Sequence, residues 1–117
     1  MIGNPLDLLQ LAGGADVCPT KAGIYMILCS VSGKAYIGQS IHMRRRVRHH
    51  ILMLRSSTHH NNHLQHAHDL YGPESISGHY IENCDEKDLS KREAYYIGLL
   101  PKELRYNLAE VDQTRPT

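Results

Sequence analysis

The 117-residue chain carries 13 Lys or Arg, 12 Asp or Glu and three cysteines, for a formal net charge of +1. That length holds one domain, which buries roughly two-thirds of its unfolded surface in a single core, and leaves no room for a second sizeable one. No apolar run nears the ~20 residues a bilayer crossing needs, and the N-terminal leucines are interrupted by Asp7 and Asp16, so a soluble, intracellular and cytoplasmic protein is expected.

Cys18, Cys29 and Cys84 are an odd count with no close pair, which points away from a disulfide framework or a CxxC metal knuckle. The small net charge hides an asymmetry. No acidic residue lies between Asp16 and Asp69, and that gap holds Lys21, Lys34, Arg44, Arg45, Arg46, Arg48 and Arg55, a local charge of +7. Residues 69–117 sum to −4, from six basic and ten acidic side chains. The first half of the chain should attract a polyanion, with a merely solvated basic face as the competing reading.

Asn4 as cap, Pro5 at the first helical position and Gly13-Gly14 beyond the leucines have the punctuation of a short N-terminal helix. The run from Gly23 to Ser30 and the shorter run Ala35 to Gly38, separated by Ser32-Gly33, read as a β-hairpin over roughly residues 23–39. Ser40 is a candidate cap for the next helix, whose core stripe is Met43, Val47, Ile51 and Leu54. Leu64, Ala67 and Tyr71 mark a third helix ending at Gly72-Pro73. A strand is expected near residues 78–84, and Asp88 caps a final helix reaching about Leu100 before Pro101. The order β-β-α-α-β-α gives an α+β fold, a small antiparallel sheet with helices packed on it.

Three constellations carry chemistry. If cross-strand partners in the hairpin have an odd index sum, as for a turn centred on Val31-Ser32 or Ser32-Gly33, Tyr25 and Tyr36 project from one face. In the register that sums to 63, Tyr25 lies across from Gly38 and Tyr36 across from Ile27. Arg46 and His50 are four residues apart and share a helix face, pairing a fork of donors suited to phosphate with a proton carrier active near neutral pH. Glu93 interrupts the apolar face formed by Leu89, Tyr96, Ile97 and Leu100, so it must meet a cation, either Arg46 or a hard divalent metal. The nine histidines, with His59 and His63 one turn apart and His66 and His68 close by, match neither a zinc finger nor HExxH.

Taken together, these positions resemble the GIY-YIG nuclease family. The two tripeptides stand as Gly23-Ile24-Tyr25 and Tyr36-Ile37-Gly38, and the likeness continues through Gly33 to Ser40, Arg46, His50, His59, Asn61, Leu64-Gln65, Arg92-Glu93, Tyr96-Ile97 and Tyr106-Asn107. It covers about residues 21–110, leaving 1–20 as an N-terminal helical extension and 111–117 as a tail. His50, His59 and Asn107 make the pattern more like the homing-endonuclease branch than the excision-repair branch.

The resemblance implies a three-stranded antiparallel sheet flanked by helices and cleavage of DNA with Mg²⁺ or Mn²⁺. By analogy Glu93 binds the metal and Arg46 stabilises the phosphate. Tyr25, Tyr36 and His50 handle water and protons, and Asn107 orients the site. Lys34, Ser40, Arg44, Arg45, Arg48, His59 and Asn61 are expected to contact the substrate, with His60 an alternative to His59. The implied chemistry is one-metal hydrolysis by in-line attack of water, Tyr25 or His50 taking the proton. The resemblance also leaves room for a homodimer on DNA and for a separate DNA-recognition segment, for which the seven residues after Glu110 are too few. The competing reading is a nucleic-acid-binding module on the same scaffold without turnover.

Overall fold

Gly23–Cys29 form strand β1, Ala35–Ser40 β2 and Ile76–Asn83 β3 in the computed structural model, which describes residues 3–12 and 16–107. The helices are α1 (Asp7–Leu11), α2 (Met43–Arg55), α3 (Asn62–Tyr71) and α4 (Leu89–Leu99). The strands make one antiparallel sheet in the order β2-β1-β3, the expected α+β architecture. All seven residues of β1 are buried. This is why its sequence is continuously apolar instead of alternating: a central strand covered on both faces has no polar side to show.

The two faces carry separate cores. Ile24, Met26, Leu28, Ala35, Ile37 and Ile81 pack against Leu8 of α1 and Leu89, Tyr96 and Ile97 of α4. On the opposite face Tyr25, Ile27, Cys29 and Tyr36 pack against Met43, Val47 and Leu54 of α2 and Leu64 and Ala67 of α3. The hairpin takes the register that sums to 63, with Tyr25 opposite Gly38 and Ile27 opposite Tyr36. Gly33 has φ +72° in the turn, a left-handed conformation that suits glycine, and its N–H donates to the Cys29 carbonyl at 2.9 Å.

Pairing between β1 and β3 slips by one residue between Ile24 and Tyr25, so Tyr80 lies opposite Tyr25 while Glu82 lies opposite Ile24. The bulge turns Ile81 and Glu82 toward the same side. Glu82 thereby meets α4, where it accepts from Arg92 Nε at 2.7 Å and Nη2 at 2.9 Å, and from the Tyr96 hydroxyl at 2.5 Å. The other sheet edge is closed by the chain after α4. Tyr106 N–H donates to the Ala35 carbonyl at 2.8 Å, and the Asn107 side chain accepts from Ile37 N–H and donates to Ile37 C=O, both at 3.0 Å. An amide side chain thus continues the ladder along β2.

Several local expectations are corrected. His42, not Ser40, caps α2, its Nδ1 accepting from Arg45 N–H at 3.2 Å. Ser40 Oγ instead bonds the backbone of His42 and shapes the turn into the helix. The buried stripe of α2 runs Met43, Val47, His50, Leu54, with Ile51 only half-buried. Tyr71 is exposed, because α3 buries only Leu64 and Ala67. Asp88 makes no side-chain cap, since a turn of 3-10 helix at Glu86–Asp88 already leads the backbone into α4. Likewise α1 starts after Leu6, not at Pro5. Asn4 Oδ1 accepts from Leu6 N–H at 3.0 Å and forms the lead-in turn, while Gly13-Gly14 and residues 108–117 lie outside the described residues. Among the described residues no helix is long and apolar enough to cross a membrane.

Candidate active site

Tyr25 sits on the central strand, 1% exposed, with its ring laid across β2. A β-carbon at Gly38 would come within 2.3 Å of the Tyr25 Cζ and Oη, so the ring occupies the space that every residue but glycine would fill. The phenol therefore reaches over β2 at Gly38. Burial pushes its pKa above the usual tyrosine range, and the nearby Tyr36 and Glu93 act in the same direction. Arg46 opposes them through its charge and a hydrogen bond. One oxygen thus feels Tyr36, Arg46 and Glu93 together, although they come from β2, α2 and α4.

Glu93 is 5% exposed on the face of α4 turned to the sheet, and its Oε1 accepts from Gln39 Nε2 at 3.5 Å. Gln39 also donates to Ser90 Oγ at 3.2 Å and so spans from β2 to the carboxylate's own helix. Arg46, one turn before His50, has a buried Nε with no protein acceptor among the described residues. Its Nη1 lies 3.4 Å from His49 Nδ1.

The imidazoles behind Tyr25 form a stack. His50, fully buried, places Nε2 2.6 Å from Tyr25 Oη and Nδ1 2.7 Å from His59 Nε2. His59 stacks on His50 at 4.9 Å and on His60 at 4.6 Å between ring centroids, and its Nδ1 accepts from Asn61 N–H at 3.0 Å. His60 Nε2 lies 3.4 Å from the Tyr36 hydroxyl. Burial lowers both inner histidines, His50 to about 2 with help from the Arg46 charge and His59 to about 4 with help from His60. Both are neutral at physiological pH.

The match of residues 21–107 to the family model for the GIY-YIG catalytic domain decides the family. The chain belongs to the GIY-YIG family. It is also similar to two solved structures, the catalytic domain of the homing endonuclease I-TevI and a mutant of that catalytic domain of the intron endonuclease I-TevI. Each is 25% identical with a TM-score of 0.68, and the alignments cover 76% and 77% of this chain and 99% and 95% of theirs. A search of curated proteins found no match.

In this GIY-YIG domain Tyr25, Tyr36, Arg46, His50 and Glu93 are brought together, while the other residues singled out from sequence are placed differently. Asn107 braces β2 at Ile37, next to Tyr36. His59 and Asn61, expected to touch substrate, are buried at 5% and 3% exposure. Asn61 Oδ1 accepts from Leu64 N–H at 3.0 Å and caps α3, and its Nδ2 donates to the Tyr106 carbonyl at 2.6 Å. Protein groups thus already engage both ends of that amide. Arg44, Arg45 and Arg48 are exposed, and with Thr20, His42 and His49 they line a cleft of about 550 Å³ on the outer side of α2. Lys34 is exposed in the hairpin turn. Sequence reading missed Gln39 and His49. The polar Gln39 directly after Tyr36-Ile37-Gly38, on the face that otherwise buries Ile37 and Ala35, was the available signal for the first.

Proposed function

We propose that this GIY-YIG domain is a divalent-metal-dependent endonuclease that hydrolyses phosphodiester bonds in DNA. The supporting observation is the convergence on Tyr25, where a second phenol, a guanidinium and a buried carboxylate from three other elements act on one oxygen. Arg46 is suited to the phosphate. Its fork offers donors to non-bridging oxygens, and the buried Nε, which has no acceptor among the described residues, adds one more N–H for an anionic oxygen. Such donors gain strength as charge builds on the phosphorus centre.

Glu93 is the residue that would hold Mg²⁺ or Mn²⁺. The donor fits, because the buried Glu93 carboxylate is a hard oxygen ligand of the kind Mg²⁺ and Mn²⁺ take. A site with a single carboxylate suits a hard cation that keeps most of its waters, and does not suit structural zinc. When bound, such an ion supplies Lewis-acid stabilisation and a more acidic water. Tyr25 and Tyr36 hold water and protons beside the phosphate, and Gln39 steadies the carboxylate of Glu93. The arginines of the outer cleft then contact phosphates along the rest of the strand, sequence-independently.

The test is a supercoiled-plasmid assay in Mg²⁺, in Mn²⁺ and in EDTA, with a parallel gel-shift measurement. Nicking in either metal that EDTA abolishes while the shift persists is the expected result. Cutting in EDTA would overturn the metal dependence. A shift without cutting in any metal would overturn the nuclease reading in favour of a binding module.

A further inference from the structure

The hydrogen-bond chain behind Tyr25 has a fixed direction. A backbone N–H can only donate, so the 3.0 Å bond from Asn61 N–H makes His59 Nδ1 an acceptor. A neutral imidazole carries one ring proton, which for His59 must then sit on Nε2 and be donated to His50 Nδ1 at 2.7 Å. By the same count the single proton of His50 sits on Nε2, where it is donated to Tyr25 Oη at 2.6 Å. Each step follows from the one before, and the chain ends on the phenol oxygen.

We propose that His59 is a positioning residue that locks the tautomer of His50, so that His50 donates to Tyr25 and cannot accept its proton. The Tyr25 proton therefore has no route onto His50, and the His50 N–H and Arg46 face the phenol oxygen as donors, Arg46 opposing in part the burial that keeps the phenol protonated. For the resting protein this excludes His50 as the acceptor of the Tyr25 proton. The lowered basicity of both histidines agrees with the one-proton count, since neither ring holds a second proton at neutral pH. Both ring nitrogens of His59 are engaged, Nδ1 by Asn61 N–H and Nε2 by His50 Nδ1, and the residue is 5% exposed. The role in catalysis rests on the nuclease reading; the direction of the chain does not.

Two measurements separate these. Two-bond ¹H–¹⁵N correlation spectra of ¹⁵N-histidine-labelled protein at pH 7.5 should show His50 and His59 both protonated at Nε2; a proton on His50 Nδ1 in the wild-type protein overturns the proposal. His59→Ala removes the donor, whereas His59→Gln restores an amide N–H near the position of Nε2. In plasmid nicking the alanine variant is expected to lose about 100-fold in kcat with little change in KM, and the glutamine variant to recover most of it. Equal impairment of the two variants with an unchanged His50 tautomer would show a merely structural role and overturn the proposal. If the spectra agree and no form of the protein cuts DNA, the chain direction stands and the nuclease reading fails.

Discussion

Tyr25 and Gly38 face each other across the hairpin, and the phenol of one fills the place where a side chain of the other would begin, 2.3 Å from a β-carbon built at Gly38. The two tripeptides that mark this family are thus one geometric unit, in which the glycine of the second makes room for the tyrosine of the first.

Gly38→Ala should therefore displace Tyr25 while leaving the fold. Forcing a methyl into this packed spot is expected to cost about 1–3 kcal/mol of stability. A displacement of about 1 Å at the phenol is expected to lower nicking about 100-fold. Thermal unfolding and plasmid nicking read the two effects separately. An alanine variant with wild-type activity would mean that the ring need not lie across β2.

Acid should unfold the protein earlier than its carboxylates alone require. His50 and His59 are held to about 2 and about 4 in the folded chain, against an ordinary value of 6.5. Above pH 6.5 they are neutral in both states and neither opposes folding. As pH falls below 6.5 the unfolded chain takes up protons that the folded one refuses, so stability drops with pH. The loss is roughly 2 kcal/mol per histidine at pH 5. Melting curves at pH 7.5 and 5.0, compared with those of His50→Gln, should show a shallower fall in the variant. Equal slopes would contradict the burial of an uncharged His50.

How much of this was legible in the sequence follows from how local each signal is. The hairpin, the α4 boundary at Pro101 and the Arg46–His50 spacing were readable because each depends on residues a few positions apart. The sequence left two hairpin registers open, and the fold takes the one that sums to 63. Ser40 resembled a helix cap, yet His42 took that position, because an imidazole Nδ1 can accept as a hydroxyl oxygen does. His59 and Asn61 looked like substrate contacts because they are polar. Their partners, His50 and Tyr106, are 9 and 45 residues away, and no periodicity reveals that they satisfy one another inside the fold. The bulge at Ile81 that turns Glu82 toward Arg92 was likewise invisible, since it depends on register with a strand more than fifty residues earlier.

That Glu82–Arg92 clamp sits immediately before Glu93 and fixes the rotation of α4 on the sheet. The Arg92 guanidinium holds the Glu82 carboxyl below the usual carboxylate range. Arg92→Lys keeps the charge but not the two-pronged geometry. Because Arg92 is about a third exposed, the expected loss of stability is modest, about 1 kcal/mol. Melting curves would read this, and nicking should fall with DNA affinity unchanged. A lysine variant with wild-type stability and activity would leave the clamp without a part in placing Glu93.

The most direct test of the account is Glu93→Gln, which keeps the shape of a buried side chain and removes only its charge. Nicking of supercoiled plasmid in Mg²⁺ is expected to fall at least about 100-fold, while melting temperature and DNA affinity stay near those of the wild type. A glutamine variant that nicks DNA at the wild-type rate in Mg²⁺ would contradict it.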